Sequence, residues 1–130
     1  MLIRAALALL VGCGGRSPAP QPPKVDTRAL AAELDAQLGE VAAIIHTRRS
    51  DCPMMASELR GLFVRMKVSL GHAREVQSDP ELAKQLTTHL RVYDQVSADR
   101  VTAIEADFTV DATCARDPGV RDALQAMPTL

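Results

Sequence analysis

Tryptophan is absent from this sequence, and Phe63, Tyr93 and Phe108 are its only aromatic residues. Sheet sandwiches draw their cores from aromatic and β-branched side chains, so this shortage argues against them. There is also no excess of positive charge. Acids and bases are mixed along the chain and leave a net charge of −1. Without a basic field to collect phosphates, nucleic acid is not expected as a partner. No apolar run approaches the roughly 20 residues of a membrane-spanning helix. GxSxG, HExxH, the Walker-type glycine loop and GxGxxG are all missing. No carboxylate pair stands out either, because Asp and Glu fall where solvated helix faces need them. The expectation is a protein that is not an enzyme, with no catalytic residue and no cofactor.

What is present is aliphatic. Hydrophobic residues make up 47% of 130 residues, mostly Ala, Leu, Val, Ile and Met. That length suits one domain, and that composition suits close helix packing. No repeat of solenoid period is visible.

The first residues read MLIRAALALLVG. Arg4 supplies a positive start, and residues 5–12 form a short apolar run that fits the h-region of a secretory signal. Leu10-Val11-Gly12-Cys13 then resembles the lipobox of bacterial lipoproteins. The resemblance is confined to residues 1–13, and the signal is short for the class. It implies cleavage between Gly12 and Cys13, a diacylglycerol thioether on Cys13, and attachment to a membrane through that lipid. Two or more acyl chains hold stably, at roughly 0.8 kcal/mol per buried CH₂. The implied location is the bacterial cell envelope. Gly14 is not the Asp that retains many lipoproteins in the inner membrane, so the resemblance favours the outer membrane.

Residues 14–24 read GGRSPAPQPPK. Prolines at this density favour an extended polyproline II spacer, about 3.1 Å per residue and roughly 30 Å in all. The expected organisation is a signal peptide over 1–12, a lipidated Cys13 and tether over 13–24, and a helical bundle domain over 25–130.

Helical punctuation is regular across that domain. Asp26 or Thr27 caps a first helix whose stripe is Leu30, Leu34, Leu38, Val41 and Ile45, with Glu33, Gln37 and Glu40 mostly off the line. The Arg48-Arg49 pair suits its C-terminus. Ser50 or Asp51, with Pro53, opens a second helix striped by Met55, Leu59, Leu62, Met66, Leu70 and Ala73, with Phe63 alongside. Ser78-Asp79-Pro80-Glu81 opens a third, whose stripe runs from Leu82 through Leu86, Leu90, Tyr93, Ser97, Val101 and Ile104 to Phe108. Asp117-Pro118 starts a short fourth, carrying Val120, Leu124 and Met127. Short connections make consecutive helices antiparallel. The predicted fold is all-α, an up-down-up bundle of three long helices with a short C-terminal fourth helix.

Lipidation removes Cys13 from the thiol count and leaves Cys52 and Cys114, an even pair in an oxidising compartment. In an up-down-up bundle the start of the second helix and the end of the third lie at one end. A Cys52–Cys114 disulfide is therefore expected.

Metal chemistry has one set of candidates. His46, near the end of the first helix, is close in topology to Met54 and Met55, and a His–Met pair in a bundle can ligate haem or copper. The architecture is similar to the cytochrome b562-like class of bundles, which places a Met early in the first helix and a His late in the last. Here the first helix has no Met and the last element no His, and CxxCH is absent. Methionine at helical spacing is more often core filling, so no metal site is assigned. His72 and His89 read as surface or boundary residues. The leading functional expectation is an envelope lipoprotein acting as an interaction or structural module with an envelope protein partner. The alternative is a bundle that binds haem, copper or a small apolar ligand.

Overall fold

The computed structural model describes residues 25–129. The stretches expected to be a signal peptide, a cleavage point between Gly12 and Cys13 and a tether lie outside the described residues. Among those described there is no strand, and six helices follow in order. They are α1 (Thr27–Thr47), α2 (Cys52–Gln77), α3 (Pro80–Arg91), α4 (Asp94–Val110), α5 (Thr113–Arg116) and α6 (Pro118–Gln125). No helix here is long and apolar enough to cross a membrane.

Four of the helices start on an aspartate cap. Asp26 accepts from Ala29 N at 3.0 Å and Asp51 from Met54 N at 3.1 Å. Asp79 accepts from Glu81 and Leu82, and Asp117 from Val120 at 2.9 Å. Each carboxylate satisfies an orphan backbone donor and is worth about 1 kcal/mol. Pro53, Pro80 and Pro118 occupy first-turn positions, where a missing N–H costs nothing.

Cross-helix pairs give the course of the chain. Glu33 and Gln37 of α1 meet Ser69, Glu40 meets Arg65, and Arg48 meets Glu58. Numbers rise on α1 as they fall on α2, so these two helices are antiparallel. Thr27 meets Gln85, Asp35 meets Arg100 and His46 meets Asp107, so numbers rise together on α1 and on α3–α4.

The stripe from Leu82 to Phe108 is not the single long helix expected from its periodicity. It breaks at Val92-Tyr93, where Tyr93 N donates to the Leu90 carbonyl at 2.9 Å in a tight turn. Neither Pro nor Gly marks the break. One turn earlier, the hydroxyls of Thr87 and Thr88 bond back to the Ala83 and Lys84 carbonyls, both at 2.9 Å, a pattern that bends helices. Packing supplies the other cause. α3 packs against both α1 and α2, whereas α4 packs against α1 and α5. The flank of α2 that a straight third helix would cover is taken by α6, which buries Val120 and Ala123 completely. α4 consequently has no fully buried residue, and Val101, on the expected stripe, is 48% exposed. The expected short C-terminal helix is α6, capped by Asp117, and an additional four-residue helix, α5, precedes it.

The core forms two clusters. The larger joins Val41 and Ile45 of α1 to Met55, Leu59, Leu62 and Met66 of α2, closed by Val120 and Ala123 of α6. The smaller joins Leu30 and Ala31 to Ala73, Val76 and Leu86. A polar rung crosses from α1 to α2 through Gln37, which is buried despite its place off the expected stripe. Its Nε2 donates to Ser69 Oγ at 2.8 Å, and Ser69 donates to Glu33 at 2.6 Å.

Cys52 and Cys114 come to disulfide distance, with Cα atoms 5.1 Å apart and 62 residues between them in sequence number. Both are buried beside the larger cluster. In the chain-entropy model such a crosslink contributes about 4 kcal/mol. We expect the Cys52→Ala/Cys114→Ala variant to lose up to about that much in urea unfolding, with helical circular dichroism retained at low denaturant.

Candidate binding cleft

The α3–α4 break opens a cleft of about 280 Å³ beside the bend. Leu34 and Leu38 of α1 form one wall, Met66 and Leu70 of α2 another, and Leu90 and Tyr93 the third. Asp94 and Ser97 supply polar groups at the cleft. Pro128 lies along it, and the tail is held there because Arg74 donates to the Thr129 carbonyl at 2.7 Å. The volume is just under the ~300–1,000 Å³ of typical ligand pockets, and the lining is mainly carbon. Such a space has the dimensions of a small apolar molecule. No histidine is among the residues lining it.

Beside the cleft, Arg100 of α4 donates to the carbonyl oxygen of Asp35 at 2.9 Å and pairs with its carboxylate. A Cβ on Gly39 would stand 3.2 Å from the guanidinium, so the small residue gives Arg100 its place against α1. This ion pair is among the less exposed of the molecule and ties α4 to α1 where apolar burial is thin.

The residues singled out for metal chemistry face three different environments. His46 is exposed, and its Nδ1 lies 3.1 Å from both oxygens of Asp107. Met55 is completely buried in the larger cluster, and Met54, its neighbour, is 42% exposed on the outer side of α2. Among the described residues no group of three or more His, Cys, Asp or Glu is arranged to hold a metal ion. Cys52 and Cys114 are brought together, yet so deeply that a thiol in solution has poor access for exchange. Their geometry fits a structural crosslink rather than a redox centre. His72 is exposed and His89 half-buried.

A second polar cluster gathers at the cystine end of the bundle. The carboxylate of Asp107, 14% exposed, receives His46 on one side and Arg49 at 3.8 Å on the other. Next to it, Asp111 receives the Thr113 N–H at 3.1 Å. The hydroxyl of Thr113, then its N–H, hold the Asp111 pKa below the ordinary carboxylate value, and the charge of Arg49 adds to this. Across the α1–α2 connection, Arg48 and Glu58 form a forked pair at 2.9 and 3.2 Å, and hydrogen bonding with Glu58 raises the Arg48 pKa.

The cleft was hidden in the sequence, because its lining residues read as ordinary core and the bend carries no breaker. Another feature was visible and passed over. Val64 and Val68 sit one turn apart on α2, off the core stripe, and both are exposed. No family model, curated protein or solved structure matches this chain.

The depressed Asp111 pKa has a defined sign. Its contribution to stability is present above the ordinary carboxylate pKa and is lost as pH falls through the lower folded value. Thr113→Val removes the hydroxyl and keeps the N–H. Carbon-detected NMR titration of the Asp111 carboxyl should then show its midpoint moving up toward the ordinary value, whereas an unmoved midpoint would contradict the assigned cause.

Proposed function

We propose that the chain is a lipid-anchored protein of the bacterial cell envelope, held through Cys13, whose helical domain serves as an interaction module for another envelope protein. The observation that carries this reading is the buried Cys52–Cys114 pair. Persistent structural disulfides belong to oxidising compartments, the same side of the membrane to which the Leu10-Val11-Gly12-Cys13 pattern directs the chain. Two independent stretches of sequence thus support one location. Within that envelope, Gly14 in place of the Asp of inner-membrane retention favours the outer membrane. The domain is read as an up-down-up stack whose third member is the bent α3–α4 unit, and the order of the cross-helix pairs supports that course. No catalytic or cofactor role is included in the proposal.

A second reading is favoured by the cleft, which suits a small apolar ligand better than haem. Tyr93 is the chain's single tyrosine, and with no tryptophan present it reports on the cleft without interference. A naphthalene-sized probe should change Tyr93 emission saturably, and Leu38→Phe, which takes up part of the space without adding a tryptophan, should weaken probe binding. Unsaturable emission changes would dismiss the cleft as a site.

The anchoring claim is tested by Cys13→Ser in the full chain. That substitution should abolish incorporation of a clickable fatty acid and move the protein from the membrane fraction to the soluble one. Membrane association that persists without label would overturn it.

A further inference from the structure

α2 carries a second stripe, opposite its core. Met54, Ser57, Gly61, Val64, Val68 and Gly71 recur at alternating spacings of three and four, the seam of a helix that packs against another helix. Val64 and Val68 are 67% and 59% exposed, although Leu59, Met66 and Ala73 on the reverse face are buried. The glycines are informative. A Cβ on Gly61 or Gly71 would meet nothing within 4 Å. Nothing in the described fold requires either to be glycine, yet glycine inside a helix is less favourable than alanine. Small residues beside exposed valines let a second backbone approach closely.

The flanks state what approaches. Arg60, Lys67 and Arg74, seven residues apart, form a basic edge on which Arg60 pairs with Asp122 at 3.3 Å and Arg74 donates to the Thr129 carbonyl, so the charges of Lys67 and Arg74 have no acid against them among the described residues. The opposite edge holds Glu58, Arg65 and His72, with Glu58 occupied by Arg48 and Arg65 by Glu40. Lys67, in the middle of the basic edge, makes no ion pair among the described residues. A second copy of the chain is a poor occupant. Antiparallel self-pairing sets the basic edge against itself, and parallel pairing sets Arg60 against Arg65 and Lys67 against His72.

Glu33, Glu40, Arg65 and Val68 line the groove on the α1 side of this stripe, so the two sides of the seam differ in charge.

We infer that the outer face of α2 is the docking seam for one helix of a partner protein, with small or apolar residues along its centre and Asp or Glu along the side that meets Arg60, Lys67 and Arg74. This rests on the reading of the domain as an interaction module and names its surface and the chemistry of its partner.

The test uses the full chain in its native host with a photo-crosslinking amino acid at Val64 or Val68, and at the exposed Thr102 on α4 as a separate probe. Mass spectrometry identifies the crosslinked peptide. The expected product is one partner helix with acids beside an apolar seam. Its yield should fall about tenfold in Lys67→Glu, which breaks no ion pair of the fold, and should recover when the facing partner acids are changed to Lys. Products joining two copies of this chain, lipid adducts alone, or a product indifferent to Lys67→Glu would overturn the inference. Crosslinks from Thr102 with none from Val64 or Val68 would overturn the α2 seam and leave the interaction module standing. No protein crosslink from any of the three positions would overturn both.

Discussion

The buried face of α2, apolar from Met55 to Val76 except at Ser69, is the surface that α1, α3, α5 and α6 must each cover. Short helices are marginal in water on their own, so this burial is what holds them in helical form. A fully buried Leu, Met or Val contributes about 1.5–3 kcal/mol, and α2 supplies several on one line, among them Leu59, Leu62 and Val76. Competition for this face sets the rest of the plan. α1 takes one side along most of its length. α3 and α6 divide the other, and because α6 occupies its part, α4 is turned aside. The bend, the cleft and the thin burial of α4 all follow from that division.

Electrostatics then hold what burial leaves loose. α4 has no fully buried residue, so its position against α1 relies on the half-buried Ile104 and Phe108 and on two polar ties, Asp35–Arg100 and His46–Asp107. Surface ion pairs are individually weak. The Asp35–Arg100 pair has a carboxylate only 13% exposed, where water screens it less than it screens a pair such as Arg60–Asp122.

Much of the fold was legible because its signals are local. An aspartate before a first-turn proline is a complete instruction for starting a helix, and α2, α3 and α6 each begin near one. The core stripe of α2 was legible for the same reason, since 3.6-residue periodicity shows in any helix that faces one way throughout. The α3–α4 break was not legible. Its stripe continues in phase from Leu90 through Tyr93 to Ile104, and the cause of the bend lies in α6, far along the chain. Gln37 was missed because a buried polar residue is recognisable only once its partner, Ser69, is known. The candidate cleft inherits that blindness, because its walls are core residues separated by a bend. The disulfide was legible through topology, since only the helix order was needed to bring residues 52 and 114 to the same end.

The same cystine divides the domain mechanically. It closes residues 52–114 into a covalent ring holding α2, α3 and α4, and α1 lies outside it. The chain enters the domain through α1 at the end far from the cystine, about 30 Å away along this 21-residue helix. Any pull arriving from residue 25 is therefore carried by non-covalent contacts along the whole of α1 before it reaches a covalent cross-link. The sliding resistance of Leu30, Val41 and Ile45, together with the Arg48–Glu58 fork, sets the strength of the assembly under tension, while the ring behind them keeps its shape.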